Sequence, residues 1–259
     1  MNQPLAYIHP QAKIARNVVI EPFSTIHKNV EIDEGTWIGP NVTIFEGARI
    51  GKNVKIYPGA SISSVPQDLK YAGEDTETFI GDNTVIREYV TISRGTNDKW
   101  KTVVGSNCLL MAYVHIAHDC IVGNNCILAN AVQMAGHVNV EDYAIIGGSS
   151  ALHQFVKVGA HVMISGGSLV RKDVPPYTKA AREPLTYCGI NSIGLRRRGF
   201  SPEKIGEIQE IYRYLFMKGL NNSKALDLIE VELPPSKERD EIINFIRNSD
   251  RGVMKGYSY

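Results

Sequence analysis

No run of apolar residues in this sequence approaches the length of a membrane span, and neither sign of charge dominates: 28 lysines and arginines stand against 27 aspartates and glutamates, for a formal net charge of +1. The first lack excludes an integral membrane helix. The second argues against nucleic acid as a partner, because a surface that tracks phosphates needs a marked basic excess. The opening residues, MNQPLAYIHP, show no basic segment followed by an apolar stretch, so a cytoplasmic location is expected. Cysteine is scarce, with 4 in 259 residues, and a cytoplasmic setting predicts reduced thiols.

What the sequence has is a beat. Isoleucine stands at every sixth position from Ile8 to Ile62, and the period resumes at Ile80, Ile86 and Ile92. It then runs without interruption from Val104 through Leu110, Ile116, Val122, Leu128, Met134 and Val140 to Ile146, Leu152, Val158, Ile164 and Val170. Four residues after each anchor comes a small or β-branched side chain, as at Ala12, Val18, Ser24, Val30 and Thr36. Neither an α-helix nor an alternating strand keeps a strict period of six. The period belongs to a β-solenoid, in which each short strand turns a corner and stacks on its equivalent in the next coil. A face of repeated threonines, the mark of an ice-binding solenoid, is missing. Cys108, Cys120 and Cys126 fall on the small-residue beat and are expected to pack in the core; Cys188 lies outside it. Cys108 and Cys126 are one coil apart, near enough for a disulfide that a reducing compartment disfavours.

The beat breaks at about 63–79 and 93–103, both polar segments that read as loops thrown out from the solenoid, and long loops on a rigid frame commonly carry function. After Val170 the pattern ends in Asp173, Val174, Pro175 and Pro176, and from about Leu185 the composition turns helical. The expected division is therefore a β domain over 1–184 and an α-helical domain over 185–259 that caps the last coil. Ser201-Pro202-Glu203 reads as a helix start, and Ser223 and Ser236 are candidate caps for two more helices. In GLRRRGFS (194–201), three consecutive arginines offer forked donors for phosphates.

Where the beat is unbroken, residues 18 apart stack vertically at about 4.8 Å per coil. His118, Gly136 and Gln154 then form one column, Asp119, His137 and Phe155 its neighbour, and His153 lies on the other side. His115 sits near the same edge, whereas His161 falls about one face away, and His9, His27 and His161 read as packing or surface residues. Histidine titrates near neutrality and can take a proton from a hydroxyl, while a glycine lets a backbone N–H approach a developing oxyanion. Asp119 could fix the tautomer of the neighbouring ring, although on an extended strand its side chain could equally point away.

The segments HIAHDCIVGNNCILAN (115–130), AGHVNVEDYAIIGG (135–148), LHQFVKVGAHVM (152–163) and DVPPY (173–177) closely resemble the acyl-carrier-protein:UDP-N-acetylglucosamine O-acyltransferases of lipid A biosynthesis. The likeness extends to DLKYAGE (68–74), the RRGFS turn and the tail. It implies a mainly β fold, a left-handed parallel β-helix of hexapeptide repeats with a C-terminal α-helical domain, whose hand runs against the general preference for right-handed crossovers. The resemblance also implies that His118 is the general base acting on the glucosamine 3-hydroxyl. The acyl donor would be a 3-hydroxyacyl chain on acyl carrier protein, and the Gly136 amide would hold the oxyanion. Asp68 and Lys70 would bind sugar and phosphate, with His115, His137, His153 and Gln154 positioning the substrates and Asn191, Arg197 and Arg198 contacting the nucleotide. No cofactor and no metal are implied, and the family assembles as homotrimers with sites between subunits. Ile193 stands where the family often has glutamate, so nucleotide contacts there are expected to differ. Gly166 matches a residue that limits the acyl groove; a glycine leaves the groove open and predicts a chain of about fourteen carbons or more. It lies 48 residues past His118, roughly 13 Å along the axis at strand spacing.

Two other enzymatic readings share the fold. A smaller acetyltransferase using acetyl-CoA has the histidine base but lacks the DLK and RRGF segments. A zinc enzyme, like the trimeric γ-type carbonic anhydrases, needs three neutral imidazoles, for which His115, His118 and His137 are the candidates; a spacing of three on extended chain aims the first two at different faces.

Overall fold

The computed structural model describes residues 4–256. Its β part is a coil with three short strands per turn. Among the described residues these strands assemble into three sheets of 9, 8 and 10 members, parallel except for one final hairpin, that form the faces of a triangular prism. The register places anchor on anchor: Ile8 pairs with Ile26, Ile26 with Ile44, Ile44 with Ile62, and Ile116 with Met134. Each anchor therefore points into one shared core, where Ile20, Ile26, Ile38, Ile44, Ile56 and Ile86 are all 0% exposed. Full burial of such a side chain is worth roughly 1.5–3 kcal/mol, repeated up the prism. Two-residue strands survive because they stack on one another, all but those at the sheet ends having a neighbour on either side.

The residue three places after an anchor turns the corner in the left-handed region. Asn29, Asn41, Asn107 and Asn125 occupy it with φ of 53° to 58°, as do Asp119 (59°) and His137 (62°). Asparagine and aspartate tolerate this region better than most residues. At the small-residue beat a buried polar hydrogen finds a carbonyl 15 residues on, in the next coil. Ser24 and Thr36 donate to the carbonyls of Gly39 and Gly51 at 2.7 and 2.8 Å. The thiols of Cys108, Cys120 and Cys126 do the same toward Gly123, Ala135 and Glu141 at 3.1 to 3.2 Å. All four cysteines are free, the three on the beat are buried, and these are packing residues as expected.

Both breaks in the beat are excursions from the coil. Ile62 pairs with Ile92, 30 residues on, and Ile92 with Ile116, 24 residues on, instead of 18. The ladder is kept across both, so the extra residues leave at one edge, over 65–76 and 94–100, and the coils beyond stay in phase.

The tail departs from expectation at two points. Residues just after Leu185 are not helical: Thr186–Ile190 is a strand that pairs antiparallel with Thr178–Ala181. Its TYCGI sequence suits an extended chain, and the edge left by the last coil gives it a partner. The division placed at 184/185 falls within the turn of this hairpin. Four helices follow, α1 (Ser192–Arg197), α2 (Pro202–Met217), α3 (Asn222–Glu232) and α4 (Lys237–Arg247). Ser201 and Ser236 cap α2 and α4 as expected, but α3 is capped by Asn221 rather than Ser223, its side chain accepting from the Lys224 amide at 2.9 Å. The arginine triplet precedes α2, and it also closes α1, whose last turn holds Arg196 and Arg197 and whose C-cap is Arg198. The helices share a second apolar cluster around Ile208, Tyr212, Ile229 and Ile242, while Leu185 and Met254 close the solenoid core. Asp173, 0% exposed, ties the pieces together: it accepts from the Lys157 amide and from the Ser249 hydroxyl at 2.8 and 2.6 Å.

Candidate active site at one edge of the prism

The column predicted for His118 exists. Its corner joins the strand His115–Ile116 to Ile121–Val122, and the coil above repeats it, with the His137 amide donating to the His118 carbonyl at 3.1 Å and the Phe155 amide to that of Gly136 at 3.2 Å. Asp119 turns inward toward His118. Its left-handed backbone lets consecutive side chains converge, which regular extended chain forbids. The His118 ring meets the Asp119 carboxylate, Nδ1 to Oδ2, at 2.8 Å. The same carboxylate accepts from the Thr96 amide and hydroxyl, at 3.0 and 2.6 Å, and from the Lys99 amide at 3.3 Å. An acceptor so engaged places the ring proton on Nδ1 and leaves the Nε2 lone pair facing outward. Asp119 is fully buried. Burial alone would raise its pKa; the donors from Thr96 and His118 outweigh that and hold it below the ordinary value.

Gly136 stands directly over the ring. A Cβ there would lie 2.6 Å from both Cε1 and Nε2 of His118, so only a glycine admits the imidazole in this pose. Its own N–H has no acceptor among the described residues. His118 Nε2 is 3.7 Å from Asp68 Oδ2, on the first excursion. Lys70, also on that loop, is exposed, its amide held by Asp68 at 2.9 Å. A cleft beside them is lined by Asp68, Lys70, Thr96, His137, Gln154 and Phe155. A groove on the adjoining face runs past Gln67, His115, His118, Gly136 and Leu152.

The remaining histidines sort by contact. His115 Nδ1 is 2.7 Å from the Thr91 hydroxyl, and burial, then the His118 charge, lowers its pKa. His137 stacks on Phe155 at 4.5 Å and lies edge-on to His118 at 5.1 Å. Burial lowers its pKa despite the charges of Asp119 and Asp98. His153 is exposed. The trio whose ligating atoms lie within 4.8 Å of one another is His118, Asp119 and His137, a different set from the three imidazoles considered for zinc; His115 is turned to Thr91, and the Asp119 oxygens are already occupied by donors.

Sequence reasoning flagged the second excursion but not its working residues, Thr96, Asp98 and Lys99, which no repeat position marks. It also grouped residues that one chain keeps apart. Asn191 and Arg198 lie at a second edge, against His161, and Arg197 is exposed beside them. Gly166 lies at the third edge, between Met163–Ile164 and Leu169–Val170, where a Cβ would come within 3.1 Å of the Gly148 carbonyl. The 13 Å expected between Gly166 and His118 is a height along the axis, not a distance in one groove.

Comparison with known proteins gives these features a family. Residues 173–254 match the model for UDP N-acetylglucosamine O-acyltransferase, domain 2, and residues 29–64 and 101–136 match the bacterial transferase hexapeptide model. The acyl-[acyl-carrier-protein]–UDP-N-acetylglucosamine O-acyltransferase of Aquifex aeolicus is 61% identical over 195 residues, 75% of each chain. That of Trichlorobacter lovleyi is 53% identical over 255 residues, 97% of this chain and 98% of its own. A crystal structure of a UDP-N-acetylglucosamine acyltransferase from Bacteroides fragilis superposes with a TM-score of 0.97 at 52% identity, covering 98% of this chain and 100% of that one. The coil is accordingly the left-handed parallel β-helix of hexapeptide repeats, completed by a C-terminal helical part. With identity above one half over almost the whole length and the hexad core, excursions and tail all in place, this chain belongs to the acyl-[acyl-carrier-protein]–UDP-N-acetylglucosamine O-acyltransferase family.

Proposed function

We propose that this protein transfers an (R)-3-hydroxyacyl chain from acyl carrier protein to the 3-hydroxyl of UDP-N-acetylglucosamine, the first step of lipid A biosynthesis, in the cytoplasm. The observation that carries the reading is the stack in which Asp119 orients His118 and Gly136 opens the space above it. His118 Nε2 takes the proton from the sugar hydroxyl as its oxygen attacks the thioester carbonyl. The tetrahedral oxyanion is stabilised by the Gly136 N–H, a backbone donor of the kind worth several kcal/mol in such sites. Collapse breaks the C–S bond, and the imidazolium returns its proton to the departing thiolate. Asp119 stabilises that imidazolium without itself gaining a proton. No acyl-enzyme forms, and the buried thiols take no part. Asp68 and Lys70 hold the sugar and phosphates from the first excursion, with His115, His137, His153 and Gln154 around the acceptor.

The partition of candidate residues over three edges supports a homotrimer in which one subunit's His118 edge faces the arginine edge and the Gly166 edge of a neighbour. An open Gly166 position favours a long acyl chain. The acetyl-CoA alternative draws no support from the tail, which matches the nucleotide-sugar acyltransferase model over 173–254.

The test is transfer from a panel of 3-hydroxyacyl carrier proteins to UDP-N-acetylglucosamine by native protein and His118→Ala. Loss of the base should lower kcat by about 100- to 10,000-fold. Activity that survives the substitution removes His118 from this role, and a folded native protein with no transfer sinks the reading as a whole.

A further inference from the structure

The second edge of the prism holds a half-buried histidine that the proposed mechanism does not use. His161 occupies a corner position with φ of 59°. Its ring is sandwiched between Tyr143 at 4.9 Å and Tyr177 at 5.5 Å, both nearly parallel to it, with Phe200 edge-on at 5.2 Å. Helix α1 is gripped from both ends by this one residue. At its start, the cap Asn191 accepts from the Gly194 amide at 3.2 Å while its Nδ2 donates to the His161 carbonyl at 2.9 Å. At its end, the cap Arg198 sends Nη1 to within 3.3 Å of His161 Nδ1 and Nη2 to the Tyr143 carbonyl at 2.9 Å. Six residues of helix are too few to hold their own position by intrinsic helicity, so α1 is held by this clamp at its two ends and by the fully buried Leu195 between them. Arg197, the arginine adjacent to Arg198, is left exposed on the outside of the turn.

We infer that His161 is a positioning residue for nucleotide binding: by fixing α1 through Asn191 and Arg198, it sets the direction in which Arg197 is presented to the diphosphate of the acceptor. This deepens the functional reading above and rests on it. Arg198, whose guanidinium is spent on the clamp, is the anchor, and Arg197 is the contact. A guanidinium can donate to Nδ1 only while that nitrogen is unprotonated. Burial, then the Arg198 charge, pushes the His161 pKa down to about 4, which keeps the acceptor available at neutral pH. Asp142 opposes this shift and Lys237 supports it, without reversing its direction.

Two substitutions separate the clamp from mere packing. His161→Phe preserves the aromatic stack and removes the acceptor. His161→Asn gives up the ring but places an amide oxygen where Nδ1 stands, at a corner position that Asn107 and Asn125 already occupy elsewhere in the prism. Binding of UDP-N-acetylglucosamine is measured by calorimetry, with thermal melting and steady-state kinetics on the same samples. His161→Phe should raise both Kd and KM for the nucleotide sugar about tenfold, the scale of one hydrogen bond to a charged group. Its kcat and its KM for the acyl donor should stay within about twofold of native, and His161→Asn should bind nearly as native. Equal binding by native and His161→Phe would overturn the inference alone, as would parallel losses of kcat and melting temperature in both variants. A native protein that binds no nucleotide sugar would overturn the functional reading and this inference with it.

Discussion

Two residues prepare His118 for the role of base proposed for it. Asp119 settles which ring nitrogen carries the proton, and Gly136 decides whether the ring can stand where it does. The second is the sharper test, because Gly136 has an ordinary backbone conformation and alanine meets no φ penalty there. A single methyl group, placed 2.6 Å from Nε2 and Cε1, must push the imidazole off Asp119 or shift the coil. We expect Gly136→Ala to lower kcat about 100-fold, the cost of misplacing a reacting group by about 1 Å, with little change in melting temperature. Activity near native in a kinetic assay would show that the ring has room to move. Asp119 was in doubt from sequence because neighbouring side chains on extended chain diverge; its left-handed corner conformation removes the objection, and nothing short of the geometry reveals it.

The elements on which the proposed chemistry draws are the two excursions and the short helix α1. Thr96, on the second excursion, gives the buried Asp119 carboxylate two of its donors. Thr96→Val keeps shape and backbone amide but removes the hydroxyl, so the carboxylate loses its shortest contact and holds the His118 Nδ1–H less firmly. A fall in kcat of about tenfold with KM nearly unchanged is expected, one charge-assisted hydrogen bond's worth; a raised KM with unaltered kcat would point instead to a loop that serves binding alone. The coil itself was readable in the sequence because a strict period of six over-determines it: each anchor repeats the same instruction, and the uninterrupted stretch from Val104 to Val170 lets column arithmetic pick out His118, Gly136 and Gln154. The excursions obey no period, so their existence and edges could be seen while Thr96, Asp98 and Lys99 could not. The hairpin at Thr178–Ile190 escaped for a related reason, since its second strand is created by the free edge beside it. Gly166 and Arg198 were grouped with His118 by likeness alone; 48 residues is not a whole number of coils, and the remainder carries Gly166 to another edge.

At the scale of the molecule, three half-buried histidines couple stability to pH. His115, His137 and His161 are all held below the ordinary histidine pKa, chiefly by burial. Between about 6.5, the unfolded value, and about 4, where folded His161 titrates, the unfolded chain binds protons that the native state refuses, so unfolding becomes easier as pH falls. Their contribution is fully present above about 6.5. Asp119, lowered on balance, acts in the same sense further down, while Glu141, raised by burial, acts against it. Melting temperature should fall from pH 7.5 to 4.5, and His161→Asn should flatten the decline; a flat profile in the native protein refutes the linkage. The ladder of hydrogen bonds has a mechanical consequence as well. Those bonds run along the prism axis, so tension applied between its two ends loads them in series, one coil after another, in the manner of a zipper. Each released coil of 18 residues frees about 60 Å of chain, giving a regular sawtooth under a stretching tip. Two longer teeth should interrupt it, of about 100 and 80 Å, where the ladder skips 30 and 24 residues.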